Sequence, residues 1–313
     1  MARAIILIMG GILLTVALVL WLFGERWRPI LPSTWRFLRE GGLKRLVNGS
    51  ALHAYFYGRW TNQYIALLIN RIYPRLDQDG RQHWADRYHG KVLTHDDARA
   101  IITLNEVIPL RDLEQIVPYP LAREIVLEGP PDIAVYECGC RHARPVHCEP
   151  TQVCMIVGQP FVDFIVEHNP QSSRRLSQAE ALALLEAEHQ RGHVHSAWFK
   201  DVCLDRFYVI CNCCKCCCGG IEAMMKYGIP LMASSGFVAQ VDDMLCAACR
   251  ICEEACPFEA VEVKETAVVD WEACMGCGVC VGQCPSEAMT LVRDERKGDP
   301  LDVRELAKPE PAA

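Results

Sequence analysis

Two runs of this chain share one cysteine spacing to the residue. "CAACRICEEACP", from Cys246, and "CMGCGVCVGQCP", from Cys274, both read C-x2-C-x2-C-x3-C-P, and each cysteine of the first recurs 28 positions later in the second. No other feature constrains the fold as tightly. Eight thiols at fixed short intervals cannot all point into an apolar core, and each run closes on a proline that stops its loop (Pro257, Pro285). The 19 cysteines are absent before Cys138 and then fall in three groups, Cys138–Cys154, Cys203–Cys218 and Cys246–Cys284. A disulfide scaffold would spread them through a short secreted chain, whereas clustering with short spacers is the pattern of metal or iron–sulfur ligation.

Three thiolates on one tight loop cap three irons of a cube, and the fourth must come from elsewhere. Paired zinc sites would instead show isolated C-x2-C pairs across a long spacer. On these two runs, residues 236–293 resemble bacterial-type two-[4Fe-4S] ferredoxin domains. In that family the fourth cysteine of each run serves the other cluster. The resemblance therefore implies one cluster on Cys246, Cys249, Cys252 and Cys284, and a second on Cys274, Cys277, Cys280 and Cys256. Short strands are expected to lead into each loop ("GFVAQVDDMLC", "AVVDWEAC") and to return after each Cys-Pro ("FEAVEV", "SEAMTLV").

The middle cysteines fit no such template. "CGCRHARPVHCEPTQVC" offers Cys138, Cys140, Cys148 and Cys154, with His142 and His147 among them. "ICNCCKCCCGG" adds Cys211, Cys213, Cys214, Cys216, Cys217 and Cys218. If the second stretch is extended, Cys211, Cys213 and Cys217 face one way and Cys214, Cys216 and Cys218 the other. These ten thiols are candidates for a third iron–sulfur cluster, with zinc as the alternative. His193 and His195 read as structural residues of a strand.

"AIILIMGGILLTVALVLWLF", Ala4–Phe23, runs without a charge and has the length of a membrane-spanning helix. Arg26, Arg28, Arg36, Arg39, Lys44 and Arg45 follow it, and only Arg3 precedes it. The positive-inside bias then predicts a single-pass protein of the inner (cytoplasmic) membrane, amino terminus outside and the bulk of the chain in the cytoplasm. Residues 24–91 carry twelve Lys/Arg against five Asp/Glu, and residues 236–296 twelve Asp/Glu against four Lys/Arg. The acidic end suits a basic protein partner.

Between anchor and cysteines, residues 33–76 read as helical, Thr94 as a helix start, and residues 109–131 as short helices and turns. "IAVYEC", "HVHSAWF" and "RFYVIC" read as strands, and Ser177–Glu180 as a capping box opening a helix through Arg191. The expected class is α+β: an N-terminal transmembrane helix (1–24), a mainly helical region (25–132), an α/β cysteine-rich module (133–235), a dicluster ferredoxin domain (236–296) and a flexible tail (297–313). No G-x-G-x-x-G, P-loop, H-E-x-x-H or C-x-x-C-H is present, which removes a nucleotide site and attached haem from the expectations. The basic region lies beside an apolar span, so nucleic acid is not an expected partner. The function this supports is relay of single electrons between a cytoplasmic redox protein and a membrane-associated one. Two alternatives stand beside it: an iron–sulfur reductase acting on a disulfide, quinone or similar small substrate at the middle site, and a zinc or redox-sensing module fused to a ferredoxin.

Overall fold

The computed structural model describes residues 2–308, with side chains from residue 8 onward. Helix α1 (Ala2–Gly24) forms where the apolar run predicts it. Yet among the described residues no helix is long and apolar enough to cross a membrane. The expected transmembrane helix, and with it the single-pass location and its orientation, are corrected accordingly. The positive-inside bias applies to residues flanking a span, so the orientation read from the arginines falls with it. The last turn of α1 packs on protein instead. Trp21 stacks on Tyr55 at 5.6 Å, and the buried Glu25 accepts from Leu31 N at 2.5 Å and Thr34 Oγ1 at 2.8 Å.

The helical region divides into α2 (Pro32–Val47), α3 (Ser50–Arg59) and α4 (Thr61–Leu67), then a π and a 3-10 turn to Arg75, then α5 (Gln78–Ala85). Gly42 (φ +72) and Gly49 (φ +80) sit where the chain changes direction, a backbone conformation open to glycine at little cost.

Beyond α5 the elements alternate: β1 (Tyr88–Val92), α6 (His95–Thr103), β2 (Val107–Asp112), β3 (Glu124–Glu128), β4 (Ile133–Glu137), α7 (Gly139–His142), β5 (Gln152–Val157), α8 (Phe161–His168), β6 (Ser173–Leu176), α9 (Gln178–Gln190), β7 (Val194–Lys200), β8 (Arg206–Cys213), α10 (Gly219–Tyr227) and β9 (Met232–Ala233). Thr94 caps α6 by accepting from Asp97 N, and Ser177 with Glu180 forms the capping box of α9. Residues 109–131, expected as helices and turns, contain β2 and β3. Their prolines fall outside the paired positions, so the ladder survives around them. All nine strands share one sheet, ordered β6-β4-β5-β8-β7-β1-β9, with β2–β3 attached at β8. The strands before and after residue 132 therefore share a core.

On β1, the strand next to the β9 edge, His89 is fully buried, stacked on Tyr119 at 3.9 Å, its Nδ1 2.7 Å from Ala85 O. Burial lowers its pKa from 6.5 to about 4. The unfolded chain then binds a proton below pH 6.5 that the fold refuses. Stability is expected to be unaffected by this group above pH 6.5 and to fall as pH drops towards about 4, by at most about 3 kcal/mol. Denaturant midpoints across that window should be flatter for His89→Phe than for the parent; equal slopes would contradict the assignment.

The C-terminal unit has two antiparallel pairs. β10 (Phe237–Val241) pairs with β13 (Met289–Arg293), and β11 (Val261–Val263) with β12 (Ala267–Val269). Short helices α11 (Ile251–Ala255) and α12 (Val279–Gly282) carry the third cysteine of each run, Cys252 and Cys280. Part of the expected tail is packed: Leu301, just before α13 (Val303–Leu306), and Val303 on it lie in the core, and Arg304 lies 3.5 Å from Asp97. Residues 309–313 lie outside the described residues. The chain is a mixed α/β structure with 13 α-helices among the described residues.

Candidate iron–sulfur centres

Eighteen of the 19 cysteines gather into four sets, and Cys203, buried alone, is the remaining one. Two sets lie in the C-terminal unit. One cavity is walled by Cys246, Cys249, Cys252 and Cys284, closed by apolar atoms of Val263 and Met289. The other is walled by Cys256, Cys274, Cys277 and Cys280, closed by Phe258 and Leu291. Each run thus contributes three thiols to one cavity and its fourth to the other. Helix α11 makes the exchange: Cys252 and Cys256 stand one turn apart, with Cys256 N donating to Cys252 O at 3.1 Å.

These cavities suit a cluster better than free thiols. Burial pushes the Cys280 thiol up to about 12 and raises Cys277 further, so thiolates there require a cationic group between them. Backbone N–H groups already point at sulfur, Ala260 N to Cys256 Sγ at 3.3 Å and Ala267 N to Cys246 Sγ at 3.4 Å. Gly276 holds φ +63, and a Cβ there would meet Phe237 O at 2.2 Å and Ser235 Oγ at 2.3 Å. Gly276→Ala is therefore expected to displace the Cys274–Cys277 loop at a cost on the order of 1–3 kcal/mol or more. Iron analysis should show about four irons fewer per chain. Full iron retention would mean that the loop accommodates the methyl group.

The middle thiols divide differently from the extended-chain expectation. Strand β8 carries Cys211 and Cys213 on one face, as alternation requires. The chain then leaves the sheet in a turn over residues 214–217, and Cys218 becomes the N-cap of α10. That turn sends Cys214, Cys216 and Cys217 to Cys148, all four sulfurs within 4.8 Å of one another. Cys216 lies 3.5 Å from Cys148 and 3.3 Å from Cys217. Cys218 instead returns to join Cys211 and Cys213. Positions 217 and 218 are thus exchanged relative to an extended strand, because a turn does not keep period two.

The other set is a ring. Cys138 neighbours Cys140 and Cys154, Cys154 neighbours Cys211, Cys211 neighbours Cys213, Cys213 neighbours Cys218, and Cys218 closes on Cys140. The ends of β4, β5 and β8 and the start of α10 bring these six together around one cavity, walled also by Tyr73, Tyr88, Tyr136 and Trp198.

Arg141 lies between the two middle sets, with no exposed surface. Its guanidinium donates to Pro150 O, to Glu188 Oε2 at 3.1 Å and to Asn212 O at 3.5 Å. Burial alone would lower its pKa; the nearby sulfurs of Cys214, Cys138 and Cys148 and the Glu188 carboxylate raise it instead. Spacing in the sequence gave no signal for this residue. Its only mark was its place inside the first middle cysteine group.

The histidines take hydrogen-bond and carboxylate partners. His142 sits 2.9 Å from Glu137 and His147 3.4 Å from Glu149, so both face carboxylates. His193 serves Glu188 at 2.7 Å. His195, read as structural, comes within 4.8 Å of His95 and His189, two residues from α6 and α9 that no linear pattern connects to it.

The 4Fe-4S binding domain family matches residues 267–290. No curated protein and no solved structure matches the chain. The match covers the second cysteine run, and the C-terminal region thereby carries at least one 4Fe-4S cluster and an iron–sulfur electron-transfer role.

Proposed function

We propose that this protein is a relay for single electrons, in which two C-terminal [4Fe-4S] clusters connect to metal centres in the middle module. Cys246, Cys249, Cys252 and Cys284 hold one cluster, and Cys274, Cys277, Cys280 and Cys256 the other. Bound there, such clusters supply one-electron redox chemistry at potentials set by burial and hydrogen bonds to sulfur. The observation that carries the reading is the sorting of eight cysteines into two apolar cavities of four. Cys148, Cys214, Cys216 and Cys217 form a third four-thiol site. Its turn is held against the C-terminal unit by Lys215, whose Nζ donates to Glu254 O at 2.8 Å. Glu254 lies on α11 between Cys252 and Cys256, so the third site abuts the helix that joins the first two.

Cys249 is exposed and lines its cavity, on the same loop that carries the exposed Met244 (92%), Leu245, Asp242 and Asp243. An apolar patch edged by carboxylates fits a redox protein with a basic contact surface. Reversing Asp242 and Asp243 to lysine is expected to slow electron transfer to a small basic haem protein about tenfold at low salt, an effect that shrinks at high ionic strength. A salt-independent loss would place the contact elsewhere.

The full chain purified without oxygen should contain acid-labile sulfide and iron, bleach on reduction with dithionite, and yield EPR signals of reduced cubes. Zinc in place of iron at the C-terminal cysteines would overturn the reading.

A further inference from the structure

We infer that the six-cysteine ring is a single site for an iron–sulfur group larger than one cube. The inference rests on the iron–sulfur reading above and goes beyond it in the size and ligand number of this one centre. A [4Fe-4S] cube offers four irons to thiolate, so it would leave two of six ring sulfurs without metal. The ring offers no pair to set aside. Each sulfur has another on either side, and the set closes through Cys138, Cys140, Cys218, Cys213, Cys211 and Cys154. Separate zinc sites fit no better, since each would need four ligands and the ring divides into two threes.

Cavity size gives the second argument, and the molecule supplies its own scale. The two C-terminal cavities have volumes of about 10 and 20 Å³, and the cavity that the ring lines together with its aromatic and aliphatic neighbours has about 70 Å³. The larger space is framed by rigid elements. Trp198 presses on Gly220 so closely that a Cβ there would lie 2.6 Å from the indole, and Gly219 is equally tight against Ile69. Cys140, Cys154 and Cys211 are half-exposed, and they line this cavity.

Electrostatics agrees. No lysine or arginine lines the cavity, and Arg141 beneath it is one cation against six thiolates, so most of their positive charge must come from the group they hold. Trp198 Nε1 donates to Ser196 Oγ at 2.9 Å, which leaves the Ser196 hydroxyl proton free for Cys213 Sγ at 3.5 Å. Two cubes joined through one bridging sulfide leave six irons free to take thiolate, matching the ring in number. The group assigned here therefore has about eight irons.

Iron and sulfide analysis of the anaerobic full chain, with Mössbauer spectra, tests this. About twenty irons per chain are expected: eight in the C-terminal unit, four at the Cys148 site and about eight in the ring. Two variants keep the sites distinguishable. Cys154→Ala with Cys211→Ala should remove about eight irons and leave the EPR signals of the C-terminal cubes intact. A loss of about four irons, or none, overturns the inference. Cys148→Ala with Cys216→Ala leaves the ring untouched, so it reports even where the ring variant does not fold. It should retain about sixteen irons, and about twelve would mean that the ring holds one cube only. Failure of the electron-relay reading looks different: the C-terminal iron would itself be missing from every sample.

Discussion

Replacing Cys256 by alanine is expected to empty the cavity of Cys274, Cys277 and Cys280, although Cys256 stands in the other run of the sequence. The loss should be about four irons per chain, with the Cys246 cavity still loaded. Cys284→Ala should do the converse. Both follow from α11 and α12, each of which begins in one cavity and ends at the other. Cys252 and Cys256 are one helical turn apart, about 6 Å along the axis, which suffices to move a sulfur from one cavity to its neighbour. EPR of the reduced variants reads the outcome directly. If Cys256→Ala removed the cluster at Cys246, Cys249 and Cys252, each run would be a self-contained site and the exchange would be wrong.

The second large effect is expected at Arg141. Its guanidinium and the Glu188 carboxylate are both fully buried, 3.1 Å apart. Burial alone would raise the Glu188 carboxyl; its hydrogen bond and charge contact with His193, and then those with Arg141, hold it below the usual range. Arg141→Met removes the cation from beneath both middle thiol sites and leaves Pro150 O and Asn212 O without its donors. Breaking a buried pair costs about 3–5 kcal/mol, and the remaining bonds of Glu188 to Arg191 and His193 put this variant near the lower end. Urea midpoints measured without oxygen should shift by that amount. Middle-module iron should fall while the C-terminal EPR signals persist. Arg141→Lys keeps the charge but not the planar fork, so it should recover only part of the loss. A midpoint unchanged in Arg141→Met would show that the pair contributes nothing net.

Local sequence signals served well where the structure is local. The caps at Thr94 and Ser177, the strands read from "IAVYEC" (β4, to Glu137) and "RFYVIC" (β8, which runs on two residues to Cys213), and the strands of the C-terminal unit lie where residue pattern and turn chemistry put them. The failures have physical causes. Residues 107–128 contain prolines that suggested turns, but pairing between β2 and β3 tolerates them outside the ladder positions. The apolar N-terminal run suggested a span, whereas no helix among the described residues is long and apolar enough for one, and the end of this run is held against protein by Tyr55 and Glu25.

By itself the sequence determined the chemistry of the C-terminal region, because two identical spacings leave little freedom in how three sulfurs share a loop. It also determined that the middle of the chain must manage ten clustered thiols. Only the tertiary structure decided how those ten divide. A turn after Cys213 sends three sulfurs to Cys148 and returns Cys218 to the ring, while the end of β4, α7 and β5 deliver Cys138, Cys140 and Cys154 from about 57 to 80 residues away. Such a partition depends on strand order and on one turn's geometry, and neither is written in the spacing of the cysteines.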